Sequence, residues 1–202
     1  MKYSFIIALC VLGGAKGLGA QSPLIDLKKF DFSVVLDIKY ATKDNFTHHK
    51  VYPEARCILR KPVAVAISRV QAALKVRGMG LKMFDCYRPL SVQKKFWELV
   101  PDERYVADPK KGSRHNRGAA VDVTVIDSVG QELEMPSAYD DFSEKAHRNY
   151  KTASKSALNH RKLLERTMEK EGFRGLDTEW WHFDFEGWEQ YPIEDIPFSD
   201  IP

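Results

Sequence analysis

One carboxylate in an apolar run constrains this chain more than any other feature. The stretch from Ala119 to Ile126, "AAVDVTVI", alternates β-branched residues in the manner of a strand and carries Asp122 in its middle. A carboxylate buried in such a strand is costly unless a cation or hydrogen-bond donors stand beside it. Seven positions upstream lies His115, within "SRHNRGAAVDVTV" from Ser113 to Val125. An ideal strand would place residues seven apart on opposite faces. The chain must therefore turn at Gly118, which puts His115 on a loop and Asp122 on the strand.

A second stretch, "EWWHFDF" from Glu179 to Phe185, supplies another histidine. Glu179 and His182 are three apart and would oppose one another in a perfect strand, so Glu179 is expected in an irregular entry to it. Catalytic zinc commonly takes three protein ligands, mixing His with a carboxylate, and keeps a fourth position for water. His115, Asp122 and His182 make such a set and leave Glu179 to face that water. Trp180 and Trp181 are expected to wall the site. His48, His49, His147 and His160 are read as solvated or hydrogen-bonded residues.

The N-terminus reads as an export signal. Lys2 precedes an apolar run from Tyr3 to Leu12, and small residues follow up to Ala20. That run is about half of the ~20 residues a spanning helix needs, so it is a signal peptide over residues 1–20, with Ala15 as a second candidate cleavage position. The mature chain then has no membrane span and is secreted, with the bacterial periplasm the expected setting. Of 31 basic and 28 acidic residues, cleavage removes only Lys2 and Lys16. A nearly neutral mature domain has no electrostatic footprint for nucleic acid. Cys57 and Cys86 remain in a compartment where disulfides persist, and an even pair there suggests a bridge, two buried thiols being the alternative.

With 44% hydrophobic residues and no repeat or Gly/Ser linker, residues 21–202 are expected to form one domain. Phe32 to Thr42 reads as a strand entering a loop. Pro62 opens a helix with Val63, Ala66, Ile67, Val70 and Leu74 on one face and Gly78 as its stop. "LKMFDCY" is a short strand, and Arg88-Pro89 turns the chain into a second helix carrying Val92, Phe96 and Leu99. A third helix ends at Gly172, and the proline-bearing tail is expected to pack back over the domain. Strands and helices without strict alternation point to an α+β fold, a small mainly antiparallel sheet with flanking helices.

The pattern S-x-H-x-x-G-x-A-x-D followed by E-x-W-H resembles the zinc D-alanyl-D-alanine dipeptidases, the family that includes the vancomycin-resistance D,D-dipeptidases and shares the hedgehog and D,D-peptidase fold. Further matches cover "KYATKDNF", "LRKPVA", "DCYRP", "YDDFSEKAH" and the tail. The resemblance implies one zinc per chain on His115, Asp122 and His182, with Glu179 as the base that takes a proton from the attacking water and delivers it to the departing amine. It makes Arg88 the cation that stabilises charge growing on the carbonyl oxygen. Ser113 and Asp140 match positions near the substrate's ammonium group, where neighbouring Asp141 could exchange roles with Asp140, and Tyr40 lies in the matching substrate-side loop. The implied reaction is hydrolysis of D-alanyl-D-alanine to two D-alanines in peptidoglycan dipeptide turnover. Rival readings are a D,D-carboxypeptidase acting on stem peptides and a non-catalytic zinc-containing binding module.

Overall fold

The computed structural model describes residues 22–202, so the signal-peptide reading lies outside the described residues. In chain order the elements are β1 (Leu24–Asp26), α1 (Leu27–Phe30), β2 (Val35–Leu36), β3 (Ile58–Arg60), α2 (Lys61–Lys75), β4 (Gly80–Asp85), α3 (Leu90–Leu99), β5 (Ala120–Ile126), α4 (Lys155–Glu169), β6 (Phe173–Leu176) and β7 (Glu179–Phe185). Five strands form a sheet in the order β2-β4-β5-β7-β6, in which only β2 and β4 run parallel. β1 and β3 pair separately as an antiparallel ribbon. This is the α+β architecture expected from the element pattern.

β5 occupies the centre of the sheet, and all seven of its residues are buried. That position explains its nearly unbroken β-branched run. α2 buries Val63, Ala66, Ile67, Val70 and Leu74 and packs against β4 and α4. α3 turns Val92 and Phe96 inward, whereas Leu99, expected on the same face, is 54% exposed at the helix end.

The segment from Phe32 to Thr42 is a strand entering a loop, as expected, but the strand is short. Only Val35–Leu36 pair with β4, and Lys39–Ala41 form a 3-10 turn. The Tyr40 carbonyl accepts both Val51 N–H and Tyr52 N–H at 2.9 Å, so the backbone curls around Tyr40 rather than running on beside β4. Tyr40 itself is buried against Phe46, Tyr52 and Phe96, and that aromatic contact outweighs local strand preference.

The turn demanded between His115 and Asp122 is present. His115–Arg117 form a 3-10 turn, and Gly118 follows at φ 66°. A Cβ at Gly118 would stand 2.5 Å from Leu24 Cδ2, so both the left-handed backbone and the lack of space require glycine. Arg60 clamps the turn, its backbone N–H donating to Gly118 O and its Nε to Arg117 O, each at 2.9 Å. The tail folds back as expected, Glu194 bonding Leu90 and Asn116 while Phe198 and Ile201 are buried.

Cys57 and Cys86 are bridged, with Cα atoms 5.2 Å apart. The bridge ties the residue before β3 to the residue after β4, two positions ahead of Arg88. Closing a loop of this size typically stabilises by ~2–4 kcal/mol. Replacing both cysteines by serine should lower unfolding stability in urea by about that amount, and thiol titration of the denatured, unreduced mature protein, without Cys10, should find no free thiol. Two titratable thiols would overturn the bridge.

Candidate metal centre

Asp122 of β5 pairs in register with His182 of β7, which sets their side chains next to one another on one face. The 3-10 turn brings His115 over both. His115 Nε2 lies 3.1 Å from His182 Nδ1 and 3.4 Å from Asp122 Oδ1, and His182 Nδ1 lies 3.0 Å from Asp122 Oδ1. Zinc with ligands at about 2.0–2.1 Å in tetrahedral array has ligand-to-ligand edges of about 3.3 Å. The triangle therefore has the size a zinc ion requires. Among the described residues this is the one His, Cys, Asp or Glu group of three or more so assembled.

The outer atoms of the three side chains settle which atoms face inward. His115 Nδ1 lies 2.7 Å from Cys86 O, which can only accept, so Nδ1 donates and Nε2 keeps its lone pair. His182 Nε2 lies 2.8 Å from Asp184 Oδ1, which leaves Nδ1 as the inward lone pair. Asp122 Oδ2 accepts from Tyr139 Oη at 2.9 Å. Two nitrogen lone pairs and a carboxylate oxygen thus converge with their remote atoms already engaged, the arrangement that orients metal ligands.

Electrostatics point the same way. Burial disfavours the Asp122 carboxylate, yet the charges and hydrogen bonds of His115 and His182 hold its pKa well below the usual range. Burial likewise opposes a charge on His182, but its bonds to Asp122 and Asp184 prevail and raise its pKa to about 10. A field that binds a proton so firmly at these atoms also favours a divalent cation.

Glu179 reaches the triangle through an irregularity in β7. Gly175 pairs with Phe183 and Leu176 with Glu179, so β7 advances four residues while β6 advances one. The extra residues let Glu179 and His182 meet despite their spacing, with Glu179 Oε2 3.9 Å from His182 Nδ1. Burial, with the Asp122 charge adding to it, pushes the Glu179 pKa up.

Arg88 is held from two sides. Its guanidinium donates to Asp85 Oδ2 at 2.6 Å and Gln93 Oε1 at 2.8 Å and lies over the Phe96 ring at 4.7 Å. The buried Asp85 is in turn fixed by Tyr52 Oη and Cys86 N–H. Ser113 Oγ accepts from His115 N–H at 3.2 Å. Asp140, at φ 57°, accepts from Tyr40 Oη at 3.2 Å, and burial together with the charges of Asp122 and Glu179 pushes its pKa up to about 8.

A cavity of about 300 Å³ is lined by His115, Asp122, His182, Glu179, Arg88, Ser113, Asp140 and Tyr40. The structure thus gathers every site residue named from the sequence. It also separates Asp140 from Asp141, whose carboxylate instead accepts Ser143 N–H at 2.8 Å. Trp181 lines the cavity, but Trp180, expected to wall it as well, turns its Nε1–H to Ser137 Oγ at 3.0 Å because successive strand residues face opposite ways. The remaining histidines stay outside the cluster; His49 and His160, for example, bond backbone carbonyls through Nδ1.

Three supporting residues escaped sequence reasoning. Asp184 was legible, since a carboxylate two positions after a strand histidine shares its face. Asp85 was likewise within reach in "DCYRP". Tyr139 stood in the matched "YDDFSEKAH", but nothing local marks a phenol that will meet a carboxylate 17 residues away.

The peptidase M15 family model, described as D-ala-D-ala dipeptidase, matches residues 21–198. A D-alanyl-D-alanine dipeptidase of Escherichia coli K12 is 35% identical over 176 residues, covering 87% of this chain and 91% of its own. One from Enterococcus faecalis is 32% identical over 185 residues, covering 81% and 88%, and one from Enterococcus faecium is 29% identical over 168 residues, covering 73% and 83%. With the motif residues converging on one buried site, the chain belongs to the D-alanyl-D-alanine dipeptidase family of metallopeptidases.

Proposed function

We propose that residues 21–202 form one catalytic domain that hydrolyses free D-alanyl-D-alanine to two D-alanines, with one zinc ion on His115, Asp122 and His182. The observation that carries this reading is the single cavity shared by that triangle, Glu179, Arg88 and Asp140. The N-terminal sequence and the Cys57–Cys86 bridge support an exported protein working on peptidoglycan-derived dipeptide in the bacterial periplasm. Among the described residues no helix is long and apolar enough to cross a membrane.

His115, Asp122 and His182 would hold the zinc, which when bound would supply Lewis-acid chemistry to polarise the scissile carbonyl and make the attacking water more acidic. Glu179, a weaker acid than an exposed carboxyl, accepts the proton of the attacking water and returns it to the departing amine nitrogen. Arg88, already fixed by Asp85 and Gln93, presents positive charge where the carbonyl oxygen becomes negative, with no reorganisation at the moment of reaction. Asp140 and Ser113 lie on the side that receives the substrate's ammonium group, and Tyr40, on the substrate-side loop, donates to Asp140 in the same cavity.

Three outcomes are expected. His115→Ala or His182→Ala should lose zinc, since two remaining protein ligands make a poor site; stoichiometric, tightly held zinc in either variant would show that the ligand is misassigned. Glu179→Gln should retain zinc while turnover drops by at least ~100-fold, because the amide cannot accept the proton. Metal analysis and kinetics on one sample decide this, and near-wild-type turnover with full zinc would remove Glu179 from the mechanism.

The third outcome concerns the substrate's amino terminus. A neutral amide there would leave the buried Asp140 without its cation, a mismatch that sites built for a charged partner reject strongly. D-Ala-D-Ala should be cleaved efficiently, N-acetyl-D-Ala-D-Ala and a stem pentapeptide poorly, and Asp140→Ala should narrow the gap. Equal rates on free and blocked substrates would favour the D,D-carboxypeptidase instead.

A further inference from the structure

The Glu179 carboxylate accepts no hydrogen bond among the described residues, and its one ion-pair neighbour is His182 at 3.9 Å. His182, by contrast, is held by its register opposite Asp122 and by side-chain bonds to Asp122 and Asp184. With no hydrogen bond to its carboxylate, Glu179 is placed by the backbone of the bulge and by the packing around its largely buried side chain. A bulge of this size leaves carbonyl groups without ladder partners, and buried carbonyls without donors are costly.

Arg148, in the segment between β5 and α4, supplies those donors. Its side chain is 8% exposed. Nε donates to Leu176 O at 2.9 Å, and one terminal nitrogen donates to both Trp180 O at 3.1 Å and His182 O at 2.7 Å. Its own backbone N–H donates to Asp177 O at 2.9 Å. The guanidinium lies 4.3 Å over the Phe183 ring, with the Glu165 carboxylate 3.5 Å away. One residue thus binds carbonyls on both arms of the β6–β7 hairpin, on either side of Glu179.

Gly175 makes this possible. A Cβ there would stand 2.0 Å from Arg148 Cζ, so the guanidinium occupies space that any other residue would fill. A lysine could not substitute, because a single ammonium lacks the planar fork that reaches separated acceptors.

We propose that Arg148 is a positioning residue for the reaction: it sets the shape of the β7 bulge and through it the place of Glu179 relative to His182. This rests on Glu179 being the base. Arg148 touches neither the cavity nor the ligands' side chains, and it acts only through the backbone.

The test uses Arg148→Lys in the mature protein. Zinc should remain at one per chain and KM should change by no more than about threefold, while kcat falls ~10- to 100-fold, the scale on which small misplacements of a reacting group act. In metal-free protein, amide exchange across residues 178–181 should accelerate relative to β5. In a Glu179→Gln background, Arg148→Lys should change the residual rate by less than about twofold, since the base through which it acts is already gone. Gly175→Ala, which displaces the guanidinium without removing it, should reproduce the same pattern and serves if Arg148→Lys fails to fold. Folded Arg148→Lys or Gly175→Ala with wild-type kcat, or a full additional loss in the Glu179→Gln background, would overturn the proposal. A Glu179→Gln enzyme at wild-type rate would instead remove the base assignment, a separate failure.

Discussion

The constraint on which the structure depends is the charge on Asp122. It sits in a central strand whose every residue is buried, where an unpaired carboxylate would be untenable. His115, His182 and Tyr139 answer it, and each is anchored in turn by Cys86 O, Asp184 and the approach of Tyr40. Removing one partner from such a buried cluster typically costs ~3–5 kcal/mol, because the others keep their charge without compensation. Proton and metal compete for the same inward lone pairs. The raised pKa of His182 comes from its bonds to Asp122 and Asp184, the same carboxylates that would draw a metal cation to this position.

The functional side chains stand where regular structure breaks. Gly118 turns the chain between two members of the triangle, a register shift between Met83 and Asp85 precedes Arg88, and a larger one delivers Glu179. Each break frees backbone carbonyls, and arginines collect them repeatedly. Arg60 binds Arg117 O and Ser22 O beside the Gly118 turn, Arg56 binds Phe198 O and Ile201 O in the tail, and Arg148 binds the β7 bulge. The guanidinium suits this task because it carries five donors in a rigid plane and is more weakly hydrated than an ammonium.

Much of this was legible because the chemistry left local marks. The carboxylate within "AAVDVTVI" demanded a partner, the seven-residue spacing demanded a turn at Gly118, and the three-residue spacing of Glu179 and His182 demanded an irregular strand entry. α2 and α4 were readable from apolar spacing and terminal glycines. The strand that enters a loop within Phe32 to Thr42 is only two residues long, which sequence could not show, because the chain there serves Tyr40, whose burial is decided by distant Phe96 and Tyr52. Tyr139 and Arg148 were invisible for a related reason. Their partners lie on other elements, and although Tyr139 opens a matched motif, nothing in sequence marks which groups either side chain will bind.

On the proposed reading, the charge of Asp140 in the cavity explains how a small site distinguishes its substrate. Burial, with the charges of Asp122 and Glu179 adding to it, raises the Asp140 pKa to about 8, so its ionised form is favoured when a cation stands beside it. A dipeptide's ammonium supplies that cation and makes the ionised carboxylate favourable. A neutral amide supplies no such charge, so a blocked substrate leaves Asp140 without its cation. Tyr40 and Tyr139 carry this further, for their hydroxyls lie 3.3 Å apart between Asp140 and Asp122. When Asp140 is ionised, Tyr40 donates to it and Tyr139 donates to Asp122, so both carboxylates are served by phenols that cannot donate to one another. Ammonium recognition and metal-ligand orientation thus share one pair of hydroxyls, and the side chain that reads the substrate's amino terminus is joined through them to the strand that holds the metal.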